Sequence, residues 1–155
     1  MRRKDREITD YTKMLEILQG CDCIRLGICG DNGVYVVPVN FGLSEENGQL
    51  ILYFHGAKEG RKIELLKKQP CVCFEADRKH EVVTGEIACG YSFLYQSIIG
   101  YGTVTFLEDP SEKEKALNCI MKHYSGKDTW EFDKAMIENT CAVKIAVSEW
   151  SCKEH

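Results

Sequence analysis

Ile24-Arg25-Leu26-Gly27-Ile28-Cys29-Gly30-Asp31-Asn32-Gly33-Val34-Tyr35-Val36-Val37-Pro38-Val39-Asn40-Phe41 decides the fold. Ile24, Leu26 and Ile28 alternate with other residues, the period of a strand with one buried face. Asp31-Asn32-Gly33 supplies the residues of a tight hairpin turn, with positive φ at low cost. The return strand therefore runs antiparallel to the first. Two strands joined this closely cannot belong to a parallel sheet, which needs a crossover helix between neighbours.

Working outward, the spacing predicts strands over 23–29, 34–43, 49–55, 71–76, 97–107 and 141–150, with a polar turn at 44–48. Thr9-Asp10 caps a helix through Met14, Leu15 and Leu18 that stops near Gly20. A short amphipathic helix runs from Gly60 to the residues before Pro70, carrying Ile63, Leu65 and Leu66. Asp109-Pro110-Ser111 opens a third helix to about Tyr124, and a smaller one covers 133–138. Residues 77–91 have no clear period, and Gly100 and Gly102 read as points where a long strand bends. The expected fold is mainly β, a six-stranded antiparallel barrel with peripheral helices, in one domain over 1–155.

Composition bounds the function. Of 155 residues, 44% are hydrophobic and 28% charged, which fits one folded core and argues against disorder. A net charge of −4 gives no general attraction to nucleic acid or anionic membranes, so any anion site is local. The basic start, Met1 to Arg6, is followed by no apolar run of signal or spanning length, and a cytoplasmic protein is expected. Nine cysteines, an odd number set mostly in strand-like runs, read as reduced thiols. Cys21-x-Cys23 and Cys71-x-Cys73 lack the two to four intervening residues of structural zinc sites, so no metal is expected.

Two runs carry chemistry. In Tyr53-Phe54-His55-Gly56-Ala57-Lys58-Glu59-Gly60-Arg61-Lys62 a strand gives way to small residues and then to a helix opening with two cations. Free N–H groups and positive side chains can converge there on an anion, or the pair can belong to a solvated helix face; spacing alone leaves both open. Pro38, inside Val36-Val37-Pro38-Val39-Asn40-Phe41, marks either an ordinary edge strand or a break exposing backbone groups beside apolar side chains. A flat ring with one polar edge fits such a break.

Together these runs, with Tyr95-x-Ser97-Ile98 before Gly102 and the end of the last strand near Trp150 and Lys153, resemble the FMN-binding split barrels of the pyridoxamine 5′-phosphate oxidase-like superfamily, most closely the nitroimidazole-resistance branch. The likeness spans roughly residues 8–153. It implies that Arg61 and Lys62 bind the FMN phosphate, that Pro38, Val39, Asn40, Gly56 and Ala57 line the cofactor, and that Ser97 adds a polar contact. It further implies a homodimer with FMN, or FAD in the same cleft, between subunits, so that Trp150 and Lys153 serve the partner's site. His55 becomes the catalytic candidate beside the ring. The implied activity is reduction of a small molecule, a nitroaromatic among the acceptor classes, with electrons from a nicotinamide nucleotide. A non-catalytic flavin-binding sensor or carrier, and a haem-loaded barrel with His55 as axial ligand, are the alternatives. The additional cations that grip pyridoxamine phosphate in the oxidase proper have no counterparts here. Ser151-Cys152-Lys153 also stands where the branch often has glycine before the lysine, which leaves Cys152 as a flavin-proximal thiol or a passive tail residue.

Overall fold

Two residues, Asn40 and Phe41, join the opposite edges of the protein's sheet. A computed structural model describes residues 3–155, in which a 3-10 turn (Lys4–Arg6) precedes β1 (Glu7–Ile8), α1 (Tyr11–Gln19), β2 (Ile24–Gly30), β3 (Gly33–Val39), β4 (Gly42–Glu46) and β5 (Gln49–Gly56). There follow α2 (Arg61–Lys68), β6 (Cys71–Val83), a 3-10 turn (Ala88–Gly90), β7 (Ser92–Leu107), α3 (Pro110–Ser125), α4 (Lys134–Asn139) and β8 (Cys141–Glu154). The strand order is β3-β2-β6-β7-β8-β5-β4, with β1 paired to β8, and every pairing is antiparallel. Since β3 and β4 are the edges and only two residues separate them, those edges lie within about 11 Å of each other at this point. The sheet therefore curls round into a barrel with an unladdered seam.

The described residues form eight strands, not six. The run expected as one strand over 34–43 divides at the seam: β3 pairs with β2, while β4 pairs with β5 and reaches Glu46 before turning at Asn47 and Gly48. Pro38 sits in an edge strand, where a missing ladder donor costs least. Phe41, fully buried, pulls the chain inward; its N–H donates to the Tyr124 hydroxyl at 3.1 Å, which in turn donates to the Asp22 carbonyl at 2.7 Å. The last turn of α3 thus satisfies the backbone that leaves the sheet.

Gly100 and Gly102 are not simple bending points. A Cβ on Gly100 would stand 2.4 Å from Phe74 Cζ, and one on Gly102 would stand 2.6 Å from Ile145 Cγ2. Both glycines make room for core side chains, and a bulge between them leaves Ser148 of β8 without a partner in β7. In the tight turn only Gly33, at φ 103°, takes a positive φ; Asn32 does not. Residues 77–91 lengthen β6 to Val83 through an irregularity at Lys79 and His80.

The starts of α1 and α3 follow the expected Asp10 and Asp109, while Asp133, expected as the first residue of the last helix, caps it instead. Asp10, Asp109 and Asp133 each accept N–H groups of the first turn of α1, α3 and α4, and Pro110 occupies the first position of α3. The barrel interior is filled by alternating strand residues and closed by Met14, Ile17 and Leu18 of α1. Phe41, Phe54 and Phe74 are fully buried, each contributing about 2–3 kcal/mol. No helix among the described residues is long and apolar enough to cross a membrane.

Candidate functional site

The cation corner forms where β5 ends. His55 and Gly56 face Ala142 and Cys141 of β8, and residues 57–60 then lead into α2. Gly60 caps that helix at φ 117° with no side-chain acceptor, so the first-turn N–H groups keep their capacity for an anion. The Arg61 guanidinium lies 4.8 Å from the centre of the Tyr35 ring in β3, and the Lys62 ammonium lies 5.2 Å from that of Phe54. A Cβ on Gly56 would come within 3.3 Å of Lys62 Nζ, so the glycine preserves the ammonium's position.

Among the described residues, neither Arg61 nor Lys62 meets a carboxylate. Partial burial lowers the pKa of Lys62, as expected for a cation offered no counterion. His55 is exposed, yet desolvation by its surroundings and then the Lys62 charge lower its pKa, which favours its neutral form. The seam adjoins this corner through β3: Tyr35 lies three residues before Pro38, about 10 Å along the strand. Pro38 and Asn40 are exposed there and Val39 is buried. The corner thus offers two aromatic-backed cations, free helix N–H groups and a neutral imidazole.

Ser97 and Lys153 lie elsewhere. They face each other across β7 and β8, on an outer strip with exposed Ile99 and Tyr101 that lines a shallow cavity of about 390 Å³. Trp150 borders this cavity, while its ring packs against the core and stands edge-on to Tyr11, with centroids 5.6 Å apart. From Ala142, opposite His55, to Trp150 is eight residues of strand, up to about 26 Å. One chain therefore does not bring Trp150 and Lys153 to Arg61 and Lys62. Cys152 is fully buried, between Ile8 and Ile98, and is a core side chain, neither an open thiol nor a loose tail residue.

Sequence reasoning missed Tyr35 beneath Arg61, and Ile99 and Tyr101 beside Ser97. The second pair was findable, since period-two alternation from Ser97 puts both on its face. Tyr35 was not, because its contact joins elements 26 residues apart.

A family model described as Pyridoxamine 5′-phosphate oxidase matches residues 10–154. No match to a curated protein was found. Among solved structures the chain is similar to a candidate 5-nitroimidazole antibiotic resistance protein of Bacteroides thetaiotaomicron, at 34% identity and a TM-score of 0.82, covering 96% of this chain and 86% of that one. It is similar in fold to a flavocytochrome of Azotobacter vinelandii, at 20% identity and a TM-score of 0.80, over 100% and 72% of the two chains. A FAD-binding protein of Mesorhizobium loti shares the fold at 21% identity and a TM-score of 0.68, over 97% of each.

Proposed function

This chain belongs to the pyridoxamine 5′-phosphate oxidase family, and from that membership we propose that it is an FMN-dependent oxidoreductase, passing electrons from a reduced nicotinamide nucleotide to a small oxidised molecule. The observation that carries the reading is Lys62, a half-buried ammonium without a carboxylate partner among the described residues, held beside an uncapped helix start. The residues fit a flavin nucleotide: Arg61, Lys62 and the first N–H groups of α2 suit its phosphate, and the exposed edge residues Pro38 and Asn40 suit the polar edge of its ring. The two relatives named for flavin or FAD support a flavin in this fold, and the Bacteroides relative makes nitroaromatics the first acceptor class to test.

When bound, the flavin supplies hydride and electron chemistry that no side chain can. The chain's part is to seat the phosphate, exclude water from one ring face, and hold neutral His55 where it can orient a substrate or deliver a proton. The Ser97–Lys153 strip reaches a corner only across a dimer, each subunit covering the other's cations. The exposed Ile99 and Tyr101 supply apolar area for that contact.

The test is the absorption spectrum of freshly purified protein, then release and identification of the bound molecule, then anaerobic addition of NADH or NADPH. A flavin spectrum that bleaches with either nucleotide is the expected result. A yellow protein that neither nucleotide bleaches is a binder without turnover, and a Soret band selects haem. Dimer sharing is tested by a mixed dimer of Lys153→Ala with Arg61→Ala/Lys62→Ala. It should carry one flavin where each parent carries none, and an empty mixed dimer rejects the shared site.

A further inference from the structure

On the other side of α2 from β3 lies an open depression of about 260 Å³, between α2, the end of β7, the first turn of α3 and the start of β8. Three lysines line it: Lys58 before α2, Lys67 near that helix's end, and Lys113 from α3. Lys113 is only 7% exposed, yet among the described residues its ammonium makes no hydrogen bond or ion pair. Its stem is packed away while the ammonium keeps contact with solvent, since Ser44 Oγ is the one buried side-chain polar atom without a partner among the described residues. The first turn of a helix already carries positive potential, which adds to that of the ammonium. Lys58 and Lys67 are exposed, so three lysines whose ammonium groups reach solvent border one depression. Their mutual repulsion has one local offset, the carboxylate of Glu108.

Three ammonium groups and one carboxylate leave a local charge of about +2, close to the −1.5 to −2 of a phosphate monoester at neutral pH. The volume falls below the roughly 300–1,000 Å³ of pockets for drug-sized ligands, so the organic part must be small. Phe106, with Lys67 Nζ 6.0 Å from its ring centre, gives that part an apolar wall. The Thr140 hydroxyl is committed to the Met136 carbonyl at 2.7 Å and retains only acceptor capacity. Recognition therefore falls to the lysines, as point charges.

We propose that this cavity is a second anion site, separate from the cation corner, which takes a small phosphate monoester or free phosphate through Lys113, Lys67 and Lys58. The inference does not rest on the flavin assignment, because the cavity contains neither Arg61 nor Lys62.

Cys141 lines the same cavity and reports on its occupancy. Full-length protein, as purified and again after addition of FMN, is treated with an alkylating agent, and modification of the Cys141 peptide is followed by mass spectrometry. Saturating inorganic phosphate or glycerol phosphate should slow Cys141 alkylation about fivefold or more, leaving exposed Cys29 and Cys71 unchanged as internal controls. Stronger protection by glycerol phosphate assigns an ester, and stronger protection by inorganic phosphate assigns the free anion. Lys113→Gln should weaken protection about tenfold, the scale of one lost charged hydrogen bond. Exposed Lys67→Gln, which leaves the interior untouched, should weaken it in the same direction. Equal protection in wild type and both variants overturns the proposal, as does phosphate that displaces FMN without slowing Cys141. Protection by FMN itself would merge the cavity with the flavin corner and overturn its separateness. Without any flavin binding the assay still runs, so the two readings fail independently.

Discussion

Two clusters of cations in this molecule differ in what they face. On one side of the barrel Lys115 of α3 and Lys144 of β8 both end on Glu46 of β4, the latter at 2.5 Å, and the Tyr53 hydroxyl donates to the same carboxylate at 2.9 Å. These hydrogen bonds hold the Glu46 pKa down at about 2. At the start of α2, Arg61 and Lys62 face aromatic rings instead. The first cluster spends its charge on fastening a helix to the sheet. The second has no carboxylate partner among the described residues, which is what the proposed flavin phosphate site requires.

The most severe way to break this contrast is Arg61→Ala with Lys62→Ala. Losing two charge-assisted contacts should weaken flavin binding by about 3–6 kcal/mol, while the urea midpoint of the flavin-free protein hardly moves. Retained flavin affinity, read by fluorescence titration, would place the phosphate elsewhere. The reciprocal change, Glu46→Gln, should lower unfolding free energy by about 1 kcal/mol, a modest figure because the group is partly exposed, and should leave flavin affinity alone.

Acid should separate the clusters too. The folded-state pKa of Glu46 lies below its ordinary 4.5, so its contribution is fully present above that value and is lost as pH falls toward about 2. Glu46→Gln should flatten this part of the denaturation profile, and an unchanged profile would deny the junction its role. The smallest expected effect is at the corner. Lys62→Gln should raise the His55 pKa by removing the nearby positive charge, although partial desolvation continues to hold it down. An NMR titration of the imidazole would show it, and an unmoved pKa would separate the two side chains.

The two clusters also show what a reader of the chain alone could and could not find. The paired cations at 61–62 stood out because they follow a strand end and open a helix. The Glu46 junction did not, because residues 44–48 look like a polar turn, whereas the chain turns only at Asn47 and Gly48, both at positive φ. Lys113 was hidden in the same manner: within Ser111-Glu112-Lys113-Glu114-Lys115 nothing distinguishes the lysine that packing encloses from the one that reaches Glu46. Helix starts were legible because an aspartate cap acts within three residues. The division of the run after Val39 was not, because it depends on Tyr124, more than eighty residues away, to receive the backbone.

The short passage through Asn40 and Phe41 bears on how faithfully the sheet assembles. In an isolated hairpin a one-residue slip turns every side chain to the wrong face, and only the hydrophobic pattern resists it. Here β3 and β4 belong to hairpins at opposite ends of the strand order, tied by a tether too short to absorb an offset. A misaligned β2–β3 hairpin would drag its distant counterpart with it, so each hairpin proofreads the other.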